Sequence, residues 1–172
     1  MLLVGQNCDI EQISNDLIFK DMGYNDKRPN YYKSNGGKNY QEKTESADDV
    51  FSKLKYQRSW IACEATEELI DYAEQAGSYM ANNGLTNSKI RSIYGEIKRI
   101  QMGEFEKEKS SFYLLKPKVA YALGRDGKNE GLKLFKKIFD LCSKDVVDQK
   151  SYQNFCAFME AILAYHKAYG GN

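Results

Sequence analysis

A single histidine, two prolines and four cysteines that never fall at CxxC spacing narrow this 172-residue chain before any motif is sought. With only His166 and the scattered Cys8, Cys63, Cys142 and Cys156, a structural zinc site has no ligand set. The cysteines read instead as reduced, small apolar side chains of a cytosolic protein. Scarce proline beside abundant Lys, Glu, Leu and Ala favours helix. No run of alternating β-branched residues bounded by turn dipeptides signals a sheet. No stretch reaches the ~18–20 apolar residues that span a bilayer. The opening Met-Leu-Leu-Val is too short for a signal peptide and lacks its basic leader. Also missing are a nucleophile–base–orienter trio, a phosphate-cradling glycine loop and a pair of metal ligands at i, i+4 spacing. The expectation is a soluble cytoplasmic protein with one real core, no cofactor, no metal site and no catalytic residue; it is not an enzyme.

Charge is present but unevenly placed. Residues 1–85 carry 9 Lys/Arg against 14 Asp/Glu, a balance of −5, whereas residues 86–172 carry 16 against 10, a balance of +6. A basic half can serve an acidic partner, and it can equally be an ordinary solvated face.

Along the chain, Ile10, Ile13, Leu17 and Ile18 predict a small helix. Residues 23–47 hold almost no aliphatic side chains and cannot bury enough apolar surface to offset their ordering entropy. They are read as a flexible extension, although Tyr24, Tyr31, Tyr32 and Tyr40, interleaved with Lys27, Arg28, Lys33 and Lys38, could stack on single-stranded bases. Helical pattern starts at Val50, Phe51 and Leu54, with Trp60 and Ile61 following. Leu69, Tyr72, Ala73, Ala76 and Met80 form a stripe ending at Asn83-Gly84, and Thr86 or Asn87 can cap the next helix. The acidic-and-basic segment 103–111 reads as a loop or frayed turn. Phe112 to Arg125 is helical in period but contains Pro117, so its helix begins or kinks there. Leu132, Phe135, Ile138, Phe139, Cys142 and Val146 mark another helix, with Lys133, Lys136, Lys137 and Lys144 toward water. Residues 151–169 are apolar nearly all round, as the central helix of a bundle is. The predicted fold is all-α, a single-domain bundle of about five helices over residues 56–172, with a poorly structured N-terminal extension over residues 1–55.

Two of these helices carry paired cations. In residues 85–101, Ile90, Ile93, Tyr94, Ile97 and Ile100 make the apolar stripe. Arg91 and Lys98 share a flank two turns apart, Arg99 lies on the outer face, and Gly95 falls between them. Glycine inside a helix costs about 1 kcal/mol relative to alanine, so close approach of a partner or of a neighbouring helix is expected there. In the second helix Lys118 and Arg125 are seven apart, beside Tyr121. Cations spaced to straddle successive phosphates are what backbone recognition requires, and arginine adds bidentate geometry. The same pattern arises when Lys and Arg stems cover apolar edges of a bundle, and both readings stand at this point. Lys89 lies on the opposite flank from Arg91, where Glu96 or a neighbouring subunit would meet it.

Glu160 sits between Met159 and Ala161 on the most apolar helix, where a lone carboxylate is expensive to bury. An Arg, Lys or Tyr hydroxyl from another helix is its expected partner, with Arg91, Arg125 and the tyrosines as candidates. His166 falls on a different face and reads as a core or capping residue. A helical hydrolase built on this pair lacks the remaining members of a site.

Three stretches, LTNSKIRSIYGEIKRI (85–100), LLKPKVAYALGRD (114–126) and FMEAILAYHK (158–167), in that order, resemble the small α-helical subunit of type III-A CRISPR effector (Csm) complexes. The resemblance covers roughly residues 60–169, and the long N-terminal extension departs from the family's compact start. It implies a non-catalytic RNA-binding protein in antiviral defence, with copies of itself stacked along an RNA-guided filament. Its partners would be guide RNA and target RNA, the backbone subunits and the large polymerase-like subunit, with no membrane. The basic residues it brings forward are Lys89, Arg91, Lys98, Arg99, Lys118 and Arg125, which would hold RNA without reading sequence. The competing expectation is a protein-interaction module whose basic flanks dock on acidic subunits without RNA contact.

Overall fold

The structure is a computed structural model, and residues 45–171 are described in it. The helix expected around Ile10–Ile18 and the tyrosines Tyr24, Tyr31, Tyr32 and Tyr40 lie outside the described residues. Eight α-helices follow one another among the described residues: α1 (Ala47–Lys53), α2 (Ser59–Ala62), α3 (Glu67–Asn82), α4 (Asn87–Gln101), α5 (Phe105–Tyr113), α6 (Leu115–Arg125), α7 (Glu130–Cys142) and α8 (Gln149–Ala168). A short 3-10 turn, Ser143–Asp145, joins the last two, and no strand forms among the described residues. The fold is all-α, as the periodicity predicts.

Helix α8 is the axis, and α2, α3, α4 and α5 all pack on it. Its start is fixed locally: Asp148 Oδ1 accepts from Ser151 N at 2.8 Å, and the Ser151 hydroxyl accepts from Asp148 N at 3.0 Å. Beyond that capping box, Tyr152, Phe155, Cys156, Phe158, Met159, Ile162 and His166 are buried, a width no single stripe provides. Each such large apolar side chain contributes about 1.5–3 kcal/mol over its exposed state. Close approach of α3 to α8 depends on Gly77, where a Cβ would lie 2.7 Å from both His166 N and Ile162 O.

Helix α3 ends as predicted, with Gly84 in the left-handed region at φ +85°. The Gly84 carbonyl accepts from Asn129 Nδ2 at 2.6 Å, while Asn129 Oδ1 caps α7 by accepting from Leu132 N at 2.8 Å. One buried side chain thus ties the α3–α4 turn to the start of α7. Thr86 precedes α4 in extended backbone but makes no side-chain capping bond.

Three expectations are corrected. Segment 103–111 is not a loop: α5 runs through it because Phe105 and Phe112, seven residues apart, both face inward and pack around Tyr152. The helix expected from Phe112 to Arg125 is therefore two helices, broken at Leu114. Pro117 lies in the first turn of α6, where its missing N–H leaves no bond unmade. Finally, the helical body begins before residue 56. Ala47 is fully buried and its N–H donates to Glu130 Oε2 at 2.9 Å, so α1 is part of the body and packs on α7.

Candidate nucleic-acid interface

The stripe of α4 sorts its side chains as the sequence indicates. Ile90, Ile93, Ile97 and Ile100 are buried and Tyr94 half-buried, which leaves Ser88, Arg91, Ser92, Gly95 and Arg99 exposed along the outer face. Helix α6 buries Leu115 and Val119 and leaves Lys118, Tyr121 and Arg125 exposed beside α4. Two ion pairs cross between these helices: Lys89 Nζ to Asp126 Oδ2 at 2.6 Å, and Lys118 Nζ to Glu96 Oε1 at 3.3 Å. Since Lys89 lies in the first turn of α4 and Asp126 follows the end of α6, the helices run antiparallel.

Of the six basic residues singled out, four are neutralised inside the fold. Lys89 pairs with Asp126 and Lys118 with Glu96. Lys98 reaches Glu160 Oε2 of α8 at 3.2 Å and Gln101 Oε1 at 3.1 Å. Arg99 spans two carboxylates, with Nε 3.1 Å from Glu96 Oε2 and Nη1 3.1 Å from Glu108 Oε2. Arg91 and Arg125 differ. Neither has an anionic partner among the described residues, and Arg125 only lies over the Tyr121 ring at 5.9 Å.

These pairings set the local electrostatics. Arg99 first and Lys118 second hold the Glu96 carboxyl below the ordinary glutamate range. Asp126 is lowered by Lys89 and then by Asn129, and Glu108 by Ser111 and then by Arg99. Burial first, and then the charge of Glu160, push the Tyr94 phenol up. Lys98 is the partner that an otherwise costly Glu160 requires. The sequence required such a partner without singling out Lys98.

Gly95 is open to solvent: a Cβ there would meet nothing within 4 Å. Among the described residues no neighbouring helix packs there, so that more ordinary reason for a glycine does not operate. Gly124, beside Arg125 on α6, is equally open.

Among the described residues, neither residue weighed for acid–base chemistry stands in a pocket of reactive groups. His166 is fully buried, with Nε2 2.8 Å from the Leu85 carbonyl and Gly171 over its ring. Glu160 is taken by Lys98. No group of three or more His, Cys, Asp or Glu side chains among the described residues could hold a metal ion. No helix among them is long and apolar enough to cross a membrane.

The carboxylates that sequence reasoning missed are Glu108 and Asp126. Glu108 reaches Arg99 only because residues 105–113 are helical, and the seven-residue spacing of Phe105 and Phe112 is the signal that would have shown it.

Comparison with known proteins places the chain among relatives. The family described as "Csm2 Type III-A" matches residues 63–172. A Streptococcus thermophilus protein described as "CRISPR system Cms protein Csm2" is 32% identical over 117 residues, covering 61% of this chain and 93% of that relative. No solved structure matches.

Proposed function

We propose, from the premise that the chain belongs to the Csm2 type III-A family, that it is the non-catalytic subunit that holds RNA in a type III-A CRISPR effector complex. Membership makes it a type III-A effector subunit and gives it the other subunits of the Csm complex as partners. The finer reading concerns what it does there. It grips the phosphate backbone of target RNA, and of the guide beside it, without reading bases, in cytoplasmic antiviral defence and alongside further copies of itself.

The observation that carries this reading is the pair Arg91 and Arg125. They are exposed guanidinium groups on two antiparallel helices, left without anionic partners among the described residues and flanked by the open backbones of Gly95 and Gly124. Guanidinium is the group best suited to bidentate contact with phosphate oxygens. The ion pairs that cross between α4 and α6 leave these two charges uncommitted.

Lys98→Glu is a poor probe, because the new carboxylate would face Glu160. The test is Arg91→Ala with Arg125→Ala in the assembled complex. Target-RNA retention is expected to fall, with the slope of log affinity against log salt shallower by about 0.7 for each single-strand phosphate no longer neutralised. Circular dichroism should be unchanged. Undiminished retention, or RNA crosslinks absent from residues 89–125, would instead favour docking of the basic flanks on acidic subunits.

A further inference from the structure

Helices α4 and α6 carry seven cations, the six singled out and Lys116, and five carboxylate contacts from Glu96, Glu108, Asp126 and Glu160 hold four of them, which leaves a balance of +3. Glu96 has a special place among these carboxylates. Each of its oxygens holds a different cation, Oε2 the Arg99 Nε at 3.1 Å and Oε1 the Lys118 Nζ at 3.3 Å, and the two cations come from different helices. It thus sits, partly exposed, on the seam between α4 and α6.

We infer that Glu96 is an internal competitor for RNA: in the free chain its carboxylate occupies Arg99 and Lys118 and keeps them from phosphate. This rests on the proposed RNA-holding role of the α4–α6 face. All three side chains are partly exposed, with 34% of the glutamate, 47% of the arginine and 52% of the lysine open to solvent. Exposed pairs of this kind are weak and readily exchanged. A phosphate can take over either cation, but only by leaving a negative Glu96 a few ångströms from itself, and that like-charge approach opposes binding. The carboxylate therefore subtracts twice, by occupying two cations and by repelling the incoming anion. A chain so arranged binds stray RNA weakly while free. It engages fully only where other subunits hold the strand against it and raise the local phosphate concentration.

The competing view makes Glu96 a brace whose pairs simply fasten α6 to α4. The two views predict opposite signs for one substitution. Glu96→Gln keeps the length and hydrogen-bonding capacity of the side chain and removes its charge. As a competitor, its loss should tighten binding of the full-length free chain to polyuridylate severalfold at low salt. With both cations released, the salt slope should steepen by up to about 1.4, the value for two single-strand phosphates. Glu96→Asp, which keeps the charge, should bind as the unaltered chain does.

Glu67→Gln, the same charge change in the first turn of α3, controls for net charge and should tighten binding less than Glu96→Gln does, because it releases neither Arg99 nor Lys118. Equal or weaker binding by Glu96→Gln, or equal tightening by Glu67→Gln, would overturn the inference. The Arg91→Ala, Arg125→Ala chain separates this from the underlying reading. If it loses RNA while Glu96→Gln gains nothing, only the competition fails. If neither substitution moves RNA binding, the interface itself is wrong.

Discussion

Lys98 of α4 and Glu160 of α8 form an ion pair at 3.2 Å in which each side chain is only about a third exposed, 31% and 29%. It joins the helix that carries the candidate interface to the helix that organises the core. Lys98→Glu should lower stability by more than the roughly 1 kcal/mol of a lost exposed pair, because two carboxylates then meet over an apolar surface. Adding Glu160→Lys should recover most of the loss. Urea unfolding of the two single variants and the charge swap measures the coupling directly.

Two glycines should respond to alanine with opposite signs. At Gly77 a Cβ would strike the α8 backbone at 2.7 Å, so Gly77→Ala is expected to destabilise by about 1–3 kcal/mol. At Gly95 there is nothing within 4 Å, and Gly95→Ala should stabilise by about 0.5–1 kcal/mol through helix propensity and a less flexible unfolded chain. Thermal unfolding checks both. If RNA or a partner approaches the Gly95 backbone in the assembled complex, the same substitution lowers retention while Tm rises.

The Tyr152 hydroxyl donates to the Ile97 carbonyl at 2.7 Å inside the core, a second link between α8 and α4. Tyr152→Phe keeps the ring stacked on Phe105 and deletes that bond, so a loss of about 1 kcal/mol is expected. The measurement is the urea midpoint at unchanged m-value.

Acid stability depends in part on the α8 cap. The Ser151 backbone N–H and then its hydroxyl hold the Asp148 carboxyl below the ordinary aspartate value. A depressed folded-state pKa gives stability that is complete above the unfolded value and is lost as pH falls through the folded one. Asp148→Asn, which still caps but does not titrate, should therefore lose less of its midpoint between about pH 5 and pH 3 than the unaltered chain.

The parts of the fold legible in advance were those that depend on local periodicity. The stripes of α3, α4, α7 and α8 and the stop at Asn83-Gly84 can each be read within a few turns of chain. Helix α5 was hidden because its charged residues outnumber its apolar ones, and only packing against Tyr152 makes Phe105 and Phe112 a core face. Likewise α1 is too short to be stable alone and is held by α7, through Glu130 and the ring of Phe51 beneath Lys137.

For the candidate interface the division is sharper. Residue spacing is enough to turn Arg91, Lys98 and Arg99 away from the apolar stripe of α4, and Lys118 and Arg125 away from that of α6, because helix geometry assigns faces from position in the chain. Which of those charges stay uncommitted depends on how the helices pack. Glu160 meets Lys98 from 62 residues away, and Asp126 and Glu96 meet Lys89 and Lys118 across the α4–α6 seam. Charge pairing depends on distance in space, which no local period encodes.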